Sequence, residues 1–135
     1  MIERESGKVG LELDDTAIYI EQEIPEISRY VVRADCARPE SISHLRRHGL
    51  PQITGASKWA GSVEDGIQHM RSYSEIVIHD RCVEIQKEFR LYSYKVDKNS
   101  GDVLTTIVDK HNHYIDAIRY ALNPMIKKED FIFEV

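Results

Sequence analysis

The chain has 135 residues, of which 41% are hydrophobic and 30% are charged, and this composition excludes a disordered or low-complexity protein. Its length predicts a single domain, residues 1–135, with one sizeable core. The formal net charge is −5, but the first 27 residues alone contain 8 acidic and 2 basic side chains, so the acidity does not exclude a nucleic-acid partner for the remainder.

Hydrophobic periodicity and the positions of proline and glycine predict an α/β order of elements. Residues 89–94 fit either the end of a helix or the start of a strand. In chain order, the predicted elements are a terminal strand at 9–13, a helix at 14–22, a buried strand at 30–35, a helix at 39–48, a short strand at 52–54, a helix at 62–72, a strand at 75–79, a helix at 81–94, a hairpin from 92–96 to 103–108, a helix at 113–123 and a final segment at 131–135.

Two of these helices have specific boundary signals. Pro39 suits the first turn of a helix and Gly49 suits its end, so a helix is expected between them. Ser62 and Asp65 have the spacing of a capping box that begins the next helix. Strands that alternate with helices in this way are expected to be parallel, and chemistry is then expected at their carboxyl ends.

Several common classes of site are not supported by the sequence. It contains no G-x-x-x-x-G-K-[ST] loop, no G-x-G-x-x-G turn and no G-x-S-x-G elbow. Cys36 and Cys82 lack the spacing of a zinc site or a disulfide scaffold, so we expect reduced thiols in a cytoplasmic protein. No apolar run approaches the ~20 residues that cross a bilayer, and no membrane contact is expected.

Two acidic residues are the best candidates for chemistry. Asp35 follows a predicted strand, and Asp116 lies one helical turn after His113, on the same helix face. Two carboxylates brought together by a fold suit Mg²⁺ or Mn²⁺, which would bind phosphodiester oxygens and activate water. The structural alternatives are that Asp35 caps the turn at Cys36 and that Asp116 pairs with Arg119.

Zinc is a further alternative for the second of these positions. His111, His113 and Asp116 are ligand types with suggestive spacing, but His111 precedes the helix and no fourth ligand stands at a telling distance.

Three blocks in the chain resemble the C-terminal nuclease domain of the large subunit of tailed-phage terminases, the motors that package viral DNA. The match spans residues 31–122, and the blocks within it occur in the family's order: Ala34-Asp-Cys-Ala-Arg-Pro-Glu-Ser-Ile42, Lys58-Trp-Ala-Gly-Ser-Val-Glu-Asp-Gly-Ile67 and His113-Tyr-Ile-Asp-Ala-Ile-Arg-Tyr-Ala121. Three ordered blocks are far more specific than any one of them.

The resemblance implies an RNase H-like mixed sheet flanked by helices, and a DNA endonuclease that cuts concatemeric DNA with two Mg²⁺ or Mn²⁺ ions. Asp35 and Asp116 correspond to metal ligands, and His113 to a ligand or a group that assists water or the leaving oxygen. The implied partners are double-stranded DNA, the terminase ATPase domain, the small subunit and the portal, in the host cell cytoplasm.

The chain departs from the family pattern at its first catalytic Asp, which belongs to a block resembling G-x-D-x-G that is not found here. Glu12, Asp14 and Asp15 are expected to cap the first helix instead. The resemblance therefore implies a domain that lacks its first strand or two. A catalytically incomplete remnant, acting only as an interaction or assembly module, is the alternative.

Two further expectations follow from this departure and from the basic residues. Without a first strand, residues 30–35 would expose one edge that could pair with another copy of the chain or with residues 131–135. The side chains expected to contact DNA phosphates are Arg38, Lys58, Lys95 and Lys98, whereas Trp59 is expected in the core.

Overall fold

The structure of the chain, a computed structural model, describes residues 1–98 and 112–126, with side chains described up to Tyr92 and again from Asn112. Helices surround a small parallel sheet, as the predicted α/β class requires. The elements are α1 (Leu13–Glu23), a 3₁₀ turn (Ile27–Arg29), β1 (Val32–Ala34), α2 (Pro39–Arg47), β2 (Ile53–Gly55), α3 (Ser62–Arg71), α4 (Val83–Lys98), α5 (His113–Ala121) and α6 (Asn123–Ile126).

The sheet consists of β1 and β2, which run parallel with Val32 opposite Ile53. Helix α2 connects them, so the predicted parallel strand–helix–strand unit is confirmed. The first strand is shorter and less buried than predicted, because Tyr30 and Val31 remain 64% and 48% exposed. Since parallel strands end at the same edge of a sheet, the residues that follow β1 and β2 meet there.

Two hydrophobic clusters hold the elements together, and only the first of them includes residues of the sheet. The first joins α1, α2 and β2, and the second joins α3, α4 and α5. Their buried members are Ala17, Ile42, Leu45, Leu50 and Ile53 in the first cluster, and Ile67, Met70, Tyr92 and Ile115 in the second.

Both ends of α2 are as the sequence predicts. Pro39 occupies the first turn of the helix. Gly49, just after the helix, has a φ of 134°, a conformation that L-residues with a side chain rarely adopt. Proline and glycine therefore fix the boundaries of the helix that leads from β1 to β2.

The N-terminus of α1 differs from the prediction. The helix begins at Leu13 with Glu12 as its N-cap residue, so residues 9–13 do not form a strand. Asp14 and Asp15 lie in the first turn, where their charge favours the positive end of the helix dipole. The preference of these acidic residues for the start of a helix outweighs the alternation of apolar residues that predicted a strand at 9–13.

The capping box predicted for α3 is also wrong. Ser62 is the first helical residue, and the N-cap position belongs to Gly61, which has a left-handed φ of 83°. The Asp65 carboxylate accepts a hydrogen bond from the Trp59 indole at 2.7 Å instead of turning back to the helix start.

Two predicted strands in the second half are wrong. Within residues 75–79 a single bridge forms, where Ile78 pairs with Ile2 near the N-terminus. Residues 92–96 continue α4, because Tyr92 extends the helical spacing of the apolar face that packs into the second cluster. The second half of the predicted hairpin, 103–108, and the final segment 131–135 lie outside the described residues. Within the described part of the chain, no helix has the length and apolarity to cross a bilayer.

Candidate functional site

Asp35 lies at the carboxyl end of β1, immediately after Ala34. Its Oδ1 accepts a hydrogen bond from the backbone N–H of Ala37 at 3.0 Å, which turns the chain toward α2. The sequence alternative in which Asp35 caps this turn is therefore correct. The side chain remains 51% exposed, so the turn does not bury the carboxylate.

Lys58 contacts the same carboxylate from the neighbouring strand. It follows β2 by three residues, and its Nζ lies 2.7 Å from Asp35 Oδ1. The hydrogen bond from Lys58 lowers the pKa of Asp35, and the Ala37 N–H and the Tyr120 hydroxyl lower it further. Reciprocally, the hydrogen bond to Asp35 raises the pKa of Lys58.

Asp116 enters the site from α5, the helix that packs against β1. Arg119, one turn further along α5, places its Nη2 2.7 Å from Asp116 Oδ1. The pair is more enclosed than the first one, since the Arg119 side chain is 9% exposed and the Asp116 side chain 28%. The sequence alternative in which Asp116 pairs with Arg119 is thus correct as well.

Tyr120 links the two acidic residues. Burial raises the pKa of its hydroxyl, and the negative charges of Asp35 and Asp116 raise it further. The Lys58 ammonium lies 5.9 Å from the centre of the Tyr120 ring, and the Arg119 guanidinium carbon lies 5.4 Å from it. Both carboxylates and both of their cationic partners therefore surround one aromatic side chain.

Helix α5 is held in place at both ends. At its start, the buried Glu88 carboxylate of α4 accepts the backbone N–H groups of Tyr114 and Ile115, each at 3.0 Å. Just after its end, the Asn123 side chain both accepts from the Ser57 N–H at 2.9 Å and donates to the Ser57 carbonyl at 3.0 Å. The second contact ties α5 to the segment that carries Lys58.

A cavity of about 240 Å³ opens beside these residues. It brings the residues after β2 together with α3, α5 and α6, and Asp35 adjoins it through Lys58. Its lining residues are Ser57, Lys58, Trp59, Ser62, Val63, Asp116, Arg119, Tyr120, Asn123 and Ile126.

The structure therefore brings Asp35 and Asp116 into one neighbourhood, whereas His113 does not line the cavity. His113 is the first residue of α5 and is exposed. His111, part of the zinc alternative, lies outside the described residues. Among the residues that are described, no three His, Cys, Asp or Glu side chains cluster as metal ligands.

The residues expected to contact DNA have different surroundings. Arg38 is exposed at the start of α2, and Lys58 belongs to the ion pair with Asp35. Lys95 and Lys98 fall within α4 rather than on a hairpin, and their side chains lie outside the described residues. Trp59 lines the cavity and is half-buried, so it does not belong to either core cluster.

Sequence reasoning missed the parts played by Tyr120 and Glu88. The spacing of Tyr120 could have indicated its position, because it lies four residues after Asp116 and therefore on the same helix face. Glu88 interrupts the apolar face of α4 between Ile85 and Tyr92, and an acidic residue at such a position needs a buried partner. The spacing of these residues does not show that Tyr120 lies near Asp35 or that Glu88 contacts the start of α5.

Donor chemistry and charge decide whether the site suits a divalent cation. Asp35 and Asp116 each already hold a cationic group at 2.7 Å, so both carboxylates stabilise positive charge. Carboxylate oxygens are the ligands that Mg²⁺ and Mn²⁺ prefer, and Mg²⁺ commonly binds through one or two carboxylates with water completing its shell. The two residues fit such an ion in the type of donor atom, but Lys58 and Arg119 already balance their two negative charges.

Comparisons with known proteins identify a family and two relatives of the chain. The family model described as the terminase RNAseH-like domain matches residues 8–124. The chain is 39% identical over 118 residues to "Terminase, large subunit" of Bacillus phage SPP1, covering 86% of this chain and 27% of that protein. It is 31% identical over 93 residues to "PBSX phage terminase large subunit" of Bacillus subtilis (strain 168), covering 69% of this chain and 21% of that protein.

The chain thus spans about a quarter of the length of the curated relatives it matches. No solved structure matches it significantly.

Proposed function

Because the chain belongs to the terminase RNase H-like domain family, we propose that it is the DNA-cutting part of a phage or prophage terminase large subunit, acting on concatemeric DNA. The proposed reaction is metal-dependent hydrolysis of a phosphodiester bond. The proposed cofactor is Mg²⁺ or Mn²⁺, in a two-metal arrangement to which this chain contributes Asp35 and Asp116.

One observation supports this proposal above the others. Asp35, at the end of β1, and Asp116, on α5, are far apart in the sequence. The negative charges of both raise the pKa of the same hydroxyl, that of Tyr120, which lines the cavity. Each of these carboxylates has a cationic side chain 2.7 Å away, Lys58 at Asp35 and Arg119 at Asp116. A bound divalent cation would neutralise charge on the phosphodiester and activate water.

The remaining side chains have proposed supporting roles. Asp35 and Asp116 hold the cation, and Arg119 keeps the Asp116 carboxylate in a fixed orientation. His113, exposed one turn before Asp116 on α5, is proposed to bind metal or to assist the attacking water or the leaving oxygen. Arg38 and Lys58, together with Lys95 and Lys98 on α4, are proposed to contact DNA phosphates.

The proposed partners follow from membership of this family. They are double-stranded DNA, the ATPase domain of the large subunit, the small subunit and the portal, with the host cell cytoplasm as the place of action. Each remains a proposal for this chain, which matches about a quarter of its relatives' length.

A non-catalytic interaction module is the second candidate, and two observations favour it. The described residues contain no group of three potential metal-ligating side chains. Among those residues, β1 pairs on one side only, with β2, and Tyr30 and Val31 just before it are exposed. An open strand edge can pair with a second copy of the chain. Scattering of a compact monomer at high concentration would contradict that pairing.

Plasmid cleavage with Mn²⁺ tests the nuclease proposal. We expect nicking or cutting by the chain, and its loss in Asp35→Asn and in Asp116→Asn, which retain side-chain size but remove charge. Asp80→Asn is the matched control, because Asp80 is exposed and does not line the cavity. Absence of both cleavage and Mn²⁺ binding by calorimetry would favour the interaction module.

A further inference from the structure

The two cations at the site are held in very different ways. Lys58 and Arg119 each lie 2.7 Å from a carboxylate oxygen, but the Lys58 side chain is 45% exposed and the Arg119 side chain only 9%. The two ion pairs therefore have the same length, but the Lys58 side chain is less restrained by its surroundings than the Arg119 side chain. This difference determines what must happen when a divalent cation approaches the carboxylates.

Arg119 is enclosed along its whole length. Its stem passes over Gly66 of α3, where an added Cβ would lie 2.6 Å from Arg119 Cδ and 3.0 Å from Cγ. Its Nε is buried and has no hydrogen-bond partner among the described residues. The stem of Arg119 is packed between α5 and Gly66 of α3, so we treat its guanidinium as a fixed part of the site.

Lys58 is restrained much less. It lies between β2 and α3 rather than within either element, and 45% of its side chain is exposed. Ion pairs between half-exposed side chains are weak, because water screens the charges and the long lysine stem loses entropy when it is held. Turning Lys58 away from Asp35 would therefore disturb little else.

On the basis of the proposed function, we infer that Lys58 and a divalent cation compete for Asp35, whereas Arg119 remains on Asp116 when the cation binds. An ammonium and a divalent cation on one carboxylate repel each other, and the mobile group yields. The Lys58–Asp35 pair is thus the resting state of the site. Cation binding releases Lys58, which lines the cavity, and its charge becomes free to contact a DNA phosphate.

Mn²⁺ affinity measured by calorimetry gives the first test. Lys58→Met removes the competing charge and keeps the length of the stem, and it should lower the Mn²⁺ dissociation constant by roughly threefold to tenfold. Lys87→Met is the matched control, because Lys87 forms an exposed ion pair with Glu84 at 3.2 Å outside the cavity. It should leave the dissociation constant unchanged.

Chemical labelling gives the second test. Acetylation of Lys58, followed by mass spectrometry, should become faster when Mg²⁺ is added, because the ammonium leaves Asp35. The rate at Lys87 should not change. In Asp35→Asn the rate at Lys58 should be high already and independent of Mg²⁺.

The outcomes separate this inference from the proposal on which it rests. Tighter Mn²⁺ binding by Lys58→Met together with Mg²⁺-dependent labelling supports it. Tighter binding without a change in labelling would mean simple repulsion at a distance and would overturn the competition. If the unmodified chain binds Mn²⁺ and Lys58→Met binds it no tighter, only this inference fails. If neither binds Mn²⁺, the metal site of the proposed function fails too.

Discussion

The Glu88 carboxylate accepts the backbone N–H of Ile115 at 3.0 Å, so a side chain of α4 caps the helix that carries Asp116. The same carboxylate accepts the Tyr114 N–H. A helix begins with unpaired N–H groups and the positive end of its dipole, and a buried carboxylate satisfies both. The position of Asp116 therefore depends on a residue far from it in sequence.

Glu88→Ala should destabilise the chain by roughly 1–3 kcal/mol, because it leaves buried N–H groups at the start of α5 without partners. Urea denaturation measures the change. Glu84→Ala on the same helix is the control, since Glu84 is exposed and pairs with Lys87, and it should cost under ~1 kcal/mol. Equal losses in the two variants would show that the cap contributes nothing.

Gly66→Ala should also destabilise the chain, although alanine favours helices. The new methyl group would lie 2.6 Å from Arg119 Cδ, and overpacking of this kind costs roughly 1–3 kcal/mol, offset by about 1 kcal/mol of helix propensity. The strain should disappear when Arg119 is shortened. A double-mutant cycle with Arg119→Ala should therefore show a strong coupling, and additive effects would refute the contact.

The Lys58–Asp35 pair should make stability depend on pH in a defined direction. Lys58 lowers the pKa of Asp35 in the folded chain, so this contribution is present above the unfolded pKa of about 3.9 and is lost as the pH falls through the folded pKa. Because both side chains are about half exposed, the effect should stay under ~1 kcal/mol.

Urea denaturation of the unmodified chain and of Asp35→Asn, from pH 7 down to pH 3, measures this contribution. The stability difference between them should narrow as the solution becomes acidic. On the alkaline side, Asp35 raises the pKa of Lys58, so the same pair weakens again as the pH rises through that value. A constant difference from pH 7 to pH 3 would contradict the pairing.

Asn123→Ala should remove both hydrogen bonds to the Ser57 backbone at once. We expect a loss of roughly 1–3 kcal/mol, because a half-buried N–H and carbonyl lose their partners. Gln52→Ala is the control, since Gln52 makes one exposed hydrogen bond to the Arg29 carbonyl. If thermal denaturation gives both variants the same midpoint, the Asn123 contact is unimportant.

Local signals predicted well the part of the fold that they control. Pro39 and Gly49 gave the ends of α2, and the β-branched run before Asp35 located the strand whose carboxyl end presents that residue. These features depend on backbone preferences within a few residues, and such preferences are visible in a single sequence.

Features that depend on distant partners were not predictable in the same way. Residues 75–79 have the composition of a strand, yet within them only Ile78 forms a bridge, because the pairing depends on where Ile2 lies. The same holds for the cap that Glu88 provides and for Lys58, whose charge suggested DNA contact and whose ammonium lies on Asp35. Sequence spacing gives the chemistry of such groups and leaves their partners open.

Asp116, Arg119 and Tyr120 all lie within α5, a helix of 9 residues, and this has a mechanical consequence. Sliding or rotating that helix as a rigid rod would carry the acid, its guanidinium and the phenol together and leave their mutual geometry intact. The separation from Asp35 would change instead. Loss of the Glu88 contact at the start of α5, or of the Asn123 contact just after its end, would thus move Asp116 away from Asp35 before the helix itself unwinds.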